Sequence, residues 1–177
     1  MIQPTRQTGF TLIEVIIVLA VSSIILSVAV PSFLNIIASN RVVTASNELI
    51  TVLNLAKSEA VRGGKNTVLC KTENGSDCST EGQWNSGWIL FSDSNDDHII
   101  DDDERIIRIQ TEIDDSLNFT FRTGNYIRFY PNGRMNESGR FCFNNAYRQE
   151  NSRAVIITQT VSIRTESRNS ADDCAST

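Results

Sequence analysis

Residues 8–31 read TGFTLIEVIIVLAVSSIILSVAVP, and this stretch decides the architecture. Between Arg6 and Arg41 the one ionisable side chain is Glu14. As a helix, the apolar run Phe10–Val30 is about 31 Å long at ~1.5 Å per residue, which matches a bilayer core of ~30 Å. Inside lipid the backbone must satisfy its own polar groups, so the run is predicted to be helical despite its β-branched residues. Glu14 is the anomaly. A carboxylate in hydrocarbon costs several kcal/mol unless it is partnered. A helix used only as an anchor has no use for it, so the sequence points to a buried charge that awaits a cation from another chain.

The flanks set the limits of this segment. Residues 1–9, MIQPTRQTG, form a short polar leader with Arg6 as its basic side chain. A secretory signal places its apolar stretch before the cleavage site, whereas here the apolar stretch follows Gly9. Arg6 favours a cytoplasmic N-terminus, with the bulk of the chain on the far side of the membrane. Pro31 removes one helical hydrogen bond and predicts a kink or a short melted segment. Beyond it Leu49, Val52, Leu53, Ala56 and Ala60 recur at three- and four-residue spacing, and Gly63-Gly64 is a stop signal. The expectation is one helix over 10–62, with 10–30 in the membrane and the second half lying on a globular domain over 63–177.

From Asn66 the pattern changes to short runs of β-branched and aromatic residues. The expected strands are Thr67–Lys71, Gly87–Ser92, Arg105–Gln110, Leu117–Arg122, Tyr126–Tyr130, Arg140–Phe143 and Ala154–Arg164. Alternation at Leu117, Phe119 and Phe121 marks one face as buried. The fold class is therefore α+β, a β-rich antiparallel domain whose core is covered by the stripe of the long helix.

The N-terminal motif Gly9-Phe10-Thr11-Leu12-Ile13-Glu14 resembles the processing site of type IV pilins and type II secretion pseudopilins. The segments SEAVRGGKNTVLC (58–70), WNSGWILF (84–91) and FYPNGRM (129–135) are similar to the GspH/FimT branch of that family. The resemblance implies a pilin fold with two sheets on the helix. It implies cleavage by a prepilin peptidase between Gly9 and Phe10, N-methylation of Phe10, and a role for Glu14 in assembly with other pilins or pseudopilins. It further implies a single-pass bacterial inner-membrane protein with a periplasmic domain, later part of a pilus or pseudopilus. The leading reading is a minor pilin of the FimU/FimT type. The alternatives are a GspH-like pseudopilin of a type II secretion system and a FimT-like DNA-binding pilin for natural transformation.

Four cysteines beyond the apolar run suggest disulfides formed in an oxidising space. Of the three connectivities we expect Cys70–Cys78, closing the turn-rich KTENGSD loop, together with Cys142–Cys174. A zinc site is excluded by the spacings and by the presence of a single histidine, His98.

The acidic loop SDSNDDHIIDDDE places Asp93, Asn95, Asp97, Asp101 and Glu104 at the spacing of an EF-hand calcium loop. His98 stands where glycine makes the turn, and strands rather than helices flank it. The stronger expectation is thus a solvated loop that keeps a sheet edge soluble, without a cofactor.

The net charge is −5, which argues against bulk polyanion binding. Residues 116–171 nonetheless hold eight arginines against Glu137, Glu150 and Glu166. Arg164 and Arg168 are the DNA-contact candidates that the resemblance supplies, although Val161-Ser162-Ile163-Arg164 departs from the family's G-R-x-R motif. No nucleophile–histidine arrangement or glycine-rich phosphate loop appears, so no catalysis is expected.

Overall fold

The computed structural model describes residues 9–111, 113–122, 124–146 and 152–168. The chain forms two compact units, residues 1–37 and 38–177.

Helix α1 runs from Leu12 to Gly63. It starts two residues later than expected because Thr11 caps it, with Thr11 Oγ1 accepting the N–H of Glu14 at 3.3 Å. Thr-x-x-Glu is the capping-box pattern, and an acid in the first turn suits the helix dipole. In the first unit the apolar side chains are exposed all round the helix. Ser23 and Ser27 donate their hydroxyls to the carbonyls of Ala20 and Ile24, at 2.8 and 2.7 Å. The chain stays helical across Pro31, so the expected melted segment does not form. Proline removes one backbone bond, and the bonds on either side hold the turn.

In the second unit α1 turns one stripe inward: Val42, Ser46, Leu49, Val52, Leu53, Ala56 and Ala60 are buried. The helix stops at Gly63, and Gly64 takes a left-handed φ of +63° that reverses the chain. Among the described residues eight strands follow: β1 Asn66–Lys71, β2 Gly87–Asp93, β3 Ile106–Thr111, β4 Leu117–Phe121, β5 Tyr126–Phe129, β6 Gly139–Asn145, β7 Ser152–Ile157 and β8 Ile163–Arg168. They form two four-stranded antiparallel sheets, β3-β2-β1-β5 and β4-β6-β7-β8.

One core joins the helix stripe to the inner faces of both sheets. Leu69, Trp88, Leu90, Ile127 and Phe129 come from the first sheet, and Phe119, Phe141, Phe143, Val155 and Ile157 from the second. Trp84, in the short 3-10 turn Trp84–Ser86, meets Phe119, Phe121 and Phe141 edge-on at 5.7–5.9 Å. Ala56 and Ala60 let β1 approach the helix closely, and Thr67 Oγ1 donates to Ala56 O at 2.8 Å. The first sheet also has an apolar outer face, Val68, Cys70, Ile89 and Phe91, covered in part by Cys78, Ile100 and Tyr126. With both faces covered, β1 loses the usual alternation and is buried almost throughout.

The single strand expected over Ala154–Arg164 is instead a hairpin, β7 turning into β8. Its turn lacks glycine, proline and asparagine, the usual signals. Hydroxyl and amide groups make it: Thr158 Oγ1 accepts the N–H of Ser162 at 3.2 Å and Ser138 Oγ that of Gln159 at 3.1 Å. Val161 takes a left-handed φ of 56° and is 7% exposed, so burial offsets its strain.

Candidate functional site

The N-terminal segment is built for access at one end and for apolar contact along its length. Gly9 and Phe10 precede α1, and Phe10 is 83% exposed. A Cβ at Gly9 would meet nothing within 4 Å. Glu14 lies in the first helical turn amid exposed Leu12, Ile13, Val15, Ile16 and Ile17. This gives Glu14 two distinct features: its N–H joins the Thr11 cap, and its carboxylate is surrounded by aliphatic surface.

The acidic loop connects β2 to β3 and is held by several hydrogen bonds of its own, with His98 Nε2 and Glu104 Oε2 left buried without a partner. Asp93 is buried, and its two carboxylate oxygens accept the N–H groups of Asp96 and His98, at 2.6 and 3.3 Å. His98 holds a left-handed φ of 64°, the conformation that glycine serves in a calcium loop. Its ring stacks on Tyr126 with centroids 4.2 Å apart. Asn95 donates its amide N–H groups to the carboxylates of Asp97 and Asp101, both at 2.9 Å, and its oxygen accepts the N–H of Asp97 at 3.3 Å. Glu104 accepts the N–H of Ser94. Among the described residues the clustered ligand-type atoms belong to Asp93, Asp96 and His98, within 4.8 Å of one another. Of the spacing-derived set Asp93, Asn95, Asp97, Asp101 and Glu104, Asp93 alone belongs to that cluster. The loop is strapped to the sheet by Asp96–Arg128 at 3.0 Å, Asn66–Asp96 at 2.8 Å and Lys65–Ser94 at 3.0 Å.

A disulfide joins Cys70 of β1 to Cys78, with Cα atoms 5.6 Å apart, and pins the 72–78 loop over the outer face of the first sheet. Cys142 of β6 is also disulfide-bonded. Its expected partner, Cys174, lies outside the described residues.

Among the described residues the arginines are spread over α1 and both sheets. Arg128 stands on β5, committed to Asp96 and placed over the Tyr126 and Tyr130 rings. Arg105 and Arg108 flank and occupy β3 and pair with Glu59 and Glu48 of α1, the second pair at 2.7 Å. Arg164 is exposed on β8, its Nε 3.4 Å from Glu166. Arg168 closes the same strand opposite Ser152.

Two polar clamps were not visible in the sequence. Asn85 donates to Leu117 O at 2.9 Å and accepts the N–H of Phe119 at 2.5 Å, so its side chain caps the free edge of β4. Arg41 of α1 donates to Ser116 Oγ at 2.9 Å and lies 3.2 Å from Asp114. Hydrogen bonds from the Ser116 hydroxyl and amide, with a smaller contribution from Arg41, hold the Asp114 carboxyl below its ordinary range.

A long helix, apolar at its start and striped further on, packed in its second part on two antiparallel sheets, defines a type IV pilin-like protein. The comparisons agree. The model of the prokaryotic N-terminal methylation motif matches residues 4–30, and that of the type II transport protein GspH matches residues 45–160. The chain belongs to the GspH family. No curated protein matches it. Its fold is similar to that of the type IV minor pilin FimU of Pseudomonas aeruginosa, with TM-score 0.58 and 19% identity over 74% of this chain and 95% of that one. It is also similar to the minor pseudopilin EpsH of the Vibrio cholerae type 2 secretion system, with TM-score 0.53 and 10% identity over 72% of this chain and 97% of that one. The protein is thus a minor pilin or pseudopilin, a membrane-anchored structural subunit that assembles with other pilins and not an enzyme.

Proposed function

We propose that this protein is a minor pilin that initiates or joins a type IV pilus. It waits in the bacterial inner membrane with its β-rich domain in the periplasm, an oxidising space that suits its disulfides. A prepilin peptidase cuts between Gly9 and Phe10, and Phe10 becomes the methylated N-terminus. The observation that carries this reading is Glu14, the one ionisable side chain between Arg6 and Arg41, in the apolar first part of a helix that begins just after Gly9-Phe10, inside the matched methylation motif. The amine of Phe10 in one subunit neutralises Glu14 of its neighbour. Four residues of helix correspond to an axial offset of about 6 Å, so this pairing also fixes the stagger of adjacent helices.

Mass spectrometry of the mature N-terminus tests the processing step, and retention of Met1 refutes it. Glu14→Ala is expected to leave cleavage intact and to lower incorporation into filaments roughly a hundredfold, since an unpaired charge within a membrane helix costs about 3 kcal/mol. Incorporation at the wild-type level removes the amine–carboxylate pairing.

A second reading, a pseudopilin of a type II secretion system, is favoured by the description of the family model that covers residues 45–160. Deletion of the gene separates the two. Loss of surface pili with normal secretion supports the pilus, and the converse supports the secretion machine.

A further inference from the structure

His98 Nε2 is buried and has no hydrogen-bond partner. A buried polar atom left unpaired is destabilising, and a bound ion is one of the few things that relieves it. His98 also belongs to a group that can hold such an ion: one of its ring nitrogens and one carboxylate oxygen from each of Asp93 and Asp96 lie within 4.8 Å of one another. The chain builds this group locally. Asp96 and His98 take left-handed φ values of 70° and 64°, and the buried Asp93 carboxylate accepts both of their N–H groups, which folds residues 93–98 into a tight turn. A carboxylate offers about four lone-pair positions, so each Asp93 oxygen keeps one for a further contact. The His98 ring is held by its stack on Tyr126 of β5, 25° from parallel.

The charge around the turn favours a cation. Residues 93–104 carry seven carboxylates, and among the described residues just one of them, that of Asp96, is in an ion pair, with Arg128 at 3.0 Å. In the same loop Glu104 Oε2 is a second buried acceptor without a partner. The donor set selects the ion. Calcium takes six to eight oxygens, whereas one imidazole nitrogen with two carboxylate oxygens suits a borderline divalent metal such as zinc. The cysteine spacings and the lone histidine argue against a structural zinc site of cysteine or paired-histidine type. The present donor set is of another kind, and it contains no cysteine.

We propose that Asp93, Asp96 and His98 bind one divalent ion of the zinc class. Ligand atoms around a tetrahedral zinc are about 3.4 Å apart, so the three side chains close by about 1 Å on binding. Asp96 is exposed and has room to turn, giving up part of its ion pair with Arg128. Three protein ligands leave one position for water. The ion ties the two ends of the 93–98 turn together, and through the His98–Tyr126 stack it anchors the loop to β5. The site lies in the β-rich unit, apart from Glu14, and stands whether the chain serves a pilus or a secretion machine.

The test uses the full chain in detergent micelles, purified without a histidine tag, with zinc chloride as the probe. Calorimetry is expected to show one zinc per chain, and zinc is expected to raise the melting temperature. His98 is the sole histidine, so its imidazole nitrogen-15 resonances stand alone in the spectrum, and zinc is expected to move them. His98→Asn removes the imidazole while keeping a residue type at ease in the left-handed region. It is expected to weaken zinc binding at least about tenfold, as are Asp93→Asn and Asp96→Asn. Asp93 also shapes the turn, so if Asp93→Asn fails to fold, His98→Asn and Asp96→Asn decide. Imidazole resonances unmoved at saturating zinc overturn the proposal. So does zinc binding that keeps its full strength in His98→Asn, or binding of several ions per chain at millimolar zinc alone, which is adventitious association with surface acids. Calcium bound as tightly as zinc, by wild type and His98→Asn alike, also overturns it, because the site is then made of oxygens only.

Discussion

Asn85→Ala tests how the two sheets are joined. In the native chain the Asn85 side chain occupies the place of a neighbouring strand, giving one hydrogen bond to Leu117 O at 2.9 Å and taking one from Phe119 N. Each contributes about 0.5–1.5 kcal/mol net. Phe119 is 2% exposed, so water cannot readily replace the acceptor its N–H loses. An orphaned buried donor costs about 1–3 kcal/mol. Because that penalty and the net worth of the bond overlap, the expected total is about 2–4 kcal/mol, a large part of a stability of ~5–15 kcal/mol. Urea unfolding followed by tryptophan emission reads it well, since Trp84 adjoins the clamp in the core. Asn85→Asp separates the halves of the clamp: it keeps an acceptor for Phe119 but sets a carboxylate against the Leu117 carbonyl, so it should also destabilise. If Asn85→Ala shifts stability by less than about 0.5 kcal/mol, the side chain is not closing the β4 edge and the argument fails.

Thr67→Val keeps the shape of a fully packed strand residue and removes its hydroxyl bond to Ala56 O, and should cost ~1 kcal/mol by urea midpoint. Ala56→Leu should cost more, about 1–3 kcal/mol in the same assay, because Ala56 is 0% exposed where the helix meets the sheets. Asp114 titrates below its ordinary value when folded, so its contribution is complete above that ordinary value and is lost as pH falls through the depressed one. Ser116→Ala should return the Asp114 carboxyl toward the ordinary value in a carbon-detected NMR titration; an unmoved curve shows that Ser116 is not the cause.

What the sequence discloses follows from how local each cause is. The alternation of Leu117, Phe119 and Phe121 needs only the pleat of one strand, and β4 lies within one residue of its expected end. The stripe Leu49, Val52, Leu53, Ala56, Ala60 needs only helical periodicity, and all five are buried. The β7–β8 turn needs Ser138, distant in sequence, and a buried Val161 in a conformation that valine resists, so the run reads as one strand. Asn85 acts on residues more than thirty positions away, and nothing nearby signals it. The calcium-like spacing is incomplete information for a related reason. Spacing states which residue types recur, whereas the flanking strands and the Asp93 turn determine where each side chain is placed. Arg128 reads as one of a basic group, yet β5 delivers it to the acidic loop.

The helix is written in two codes, and the difference constrains assembly. Beyond Val42 its apolar residues keep to one side, and burial against the sheets stabilises them. From Leu12 to Ile36 apolar side chains are exposed in every direction, including Ile13, Leu19, Ile24 and Val28 at 62–71%. Such a segment needs an apolar medium all round. Lipid tails and the flanks of similar helices are nearly equivalent in that respect, so hydrophobic burial alone gives little preference for a filament over the bilayer. The preference must come from a group to which the two media are not equivalent. On the processing proposed above, Glu14 is that group: in lipid it has no counter-charge, and beside a neighbour's freed amine it would gain one. On this argument Glu14→Gln, isosteric but neutral, should behave like Glu14→Ala in filament incorporation. If Glu14→Gln assembles normally, hydrogen bonding rather than charge provides the preference, and the reasoning from the apolar helix has to be abandoned.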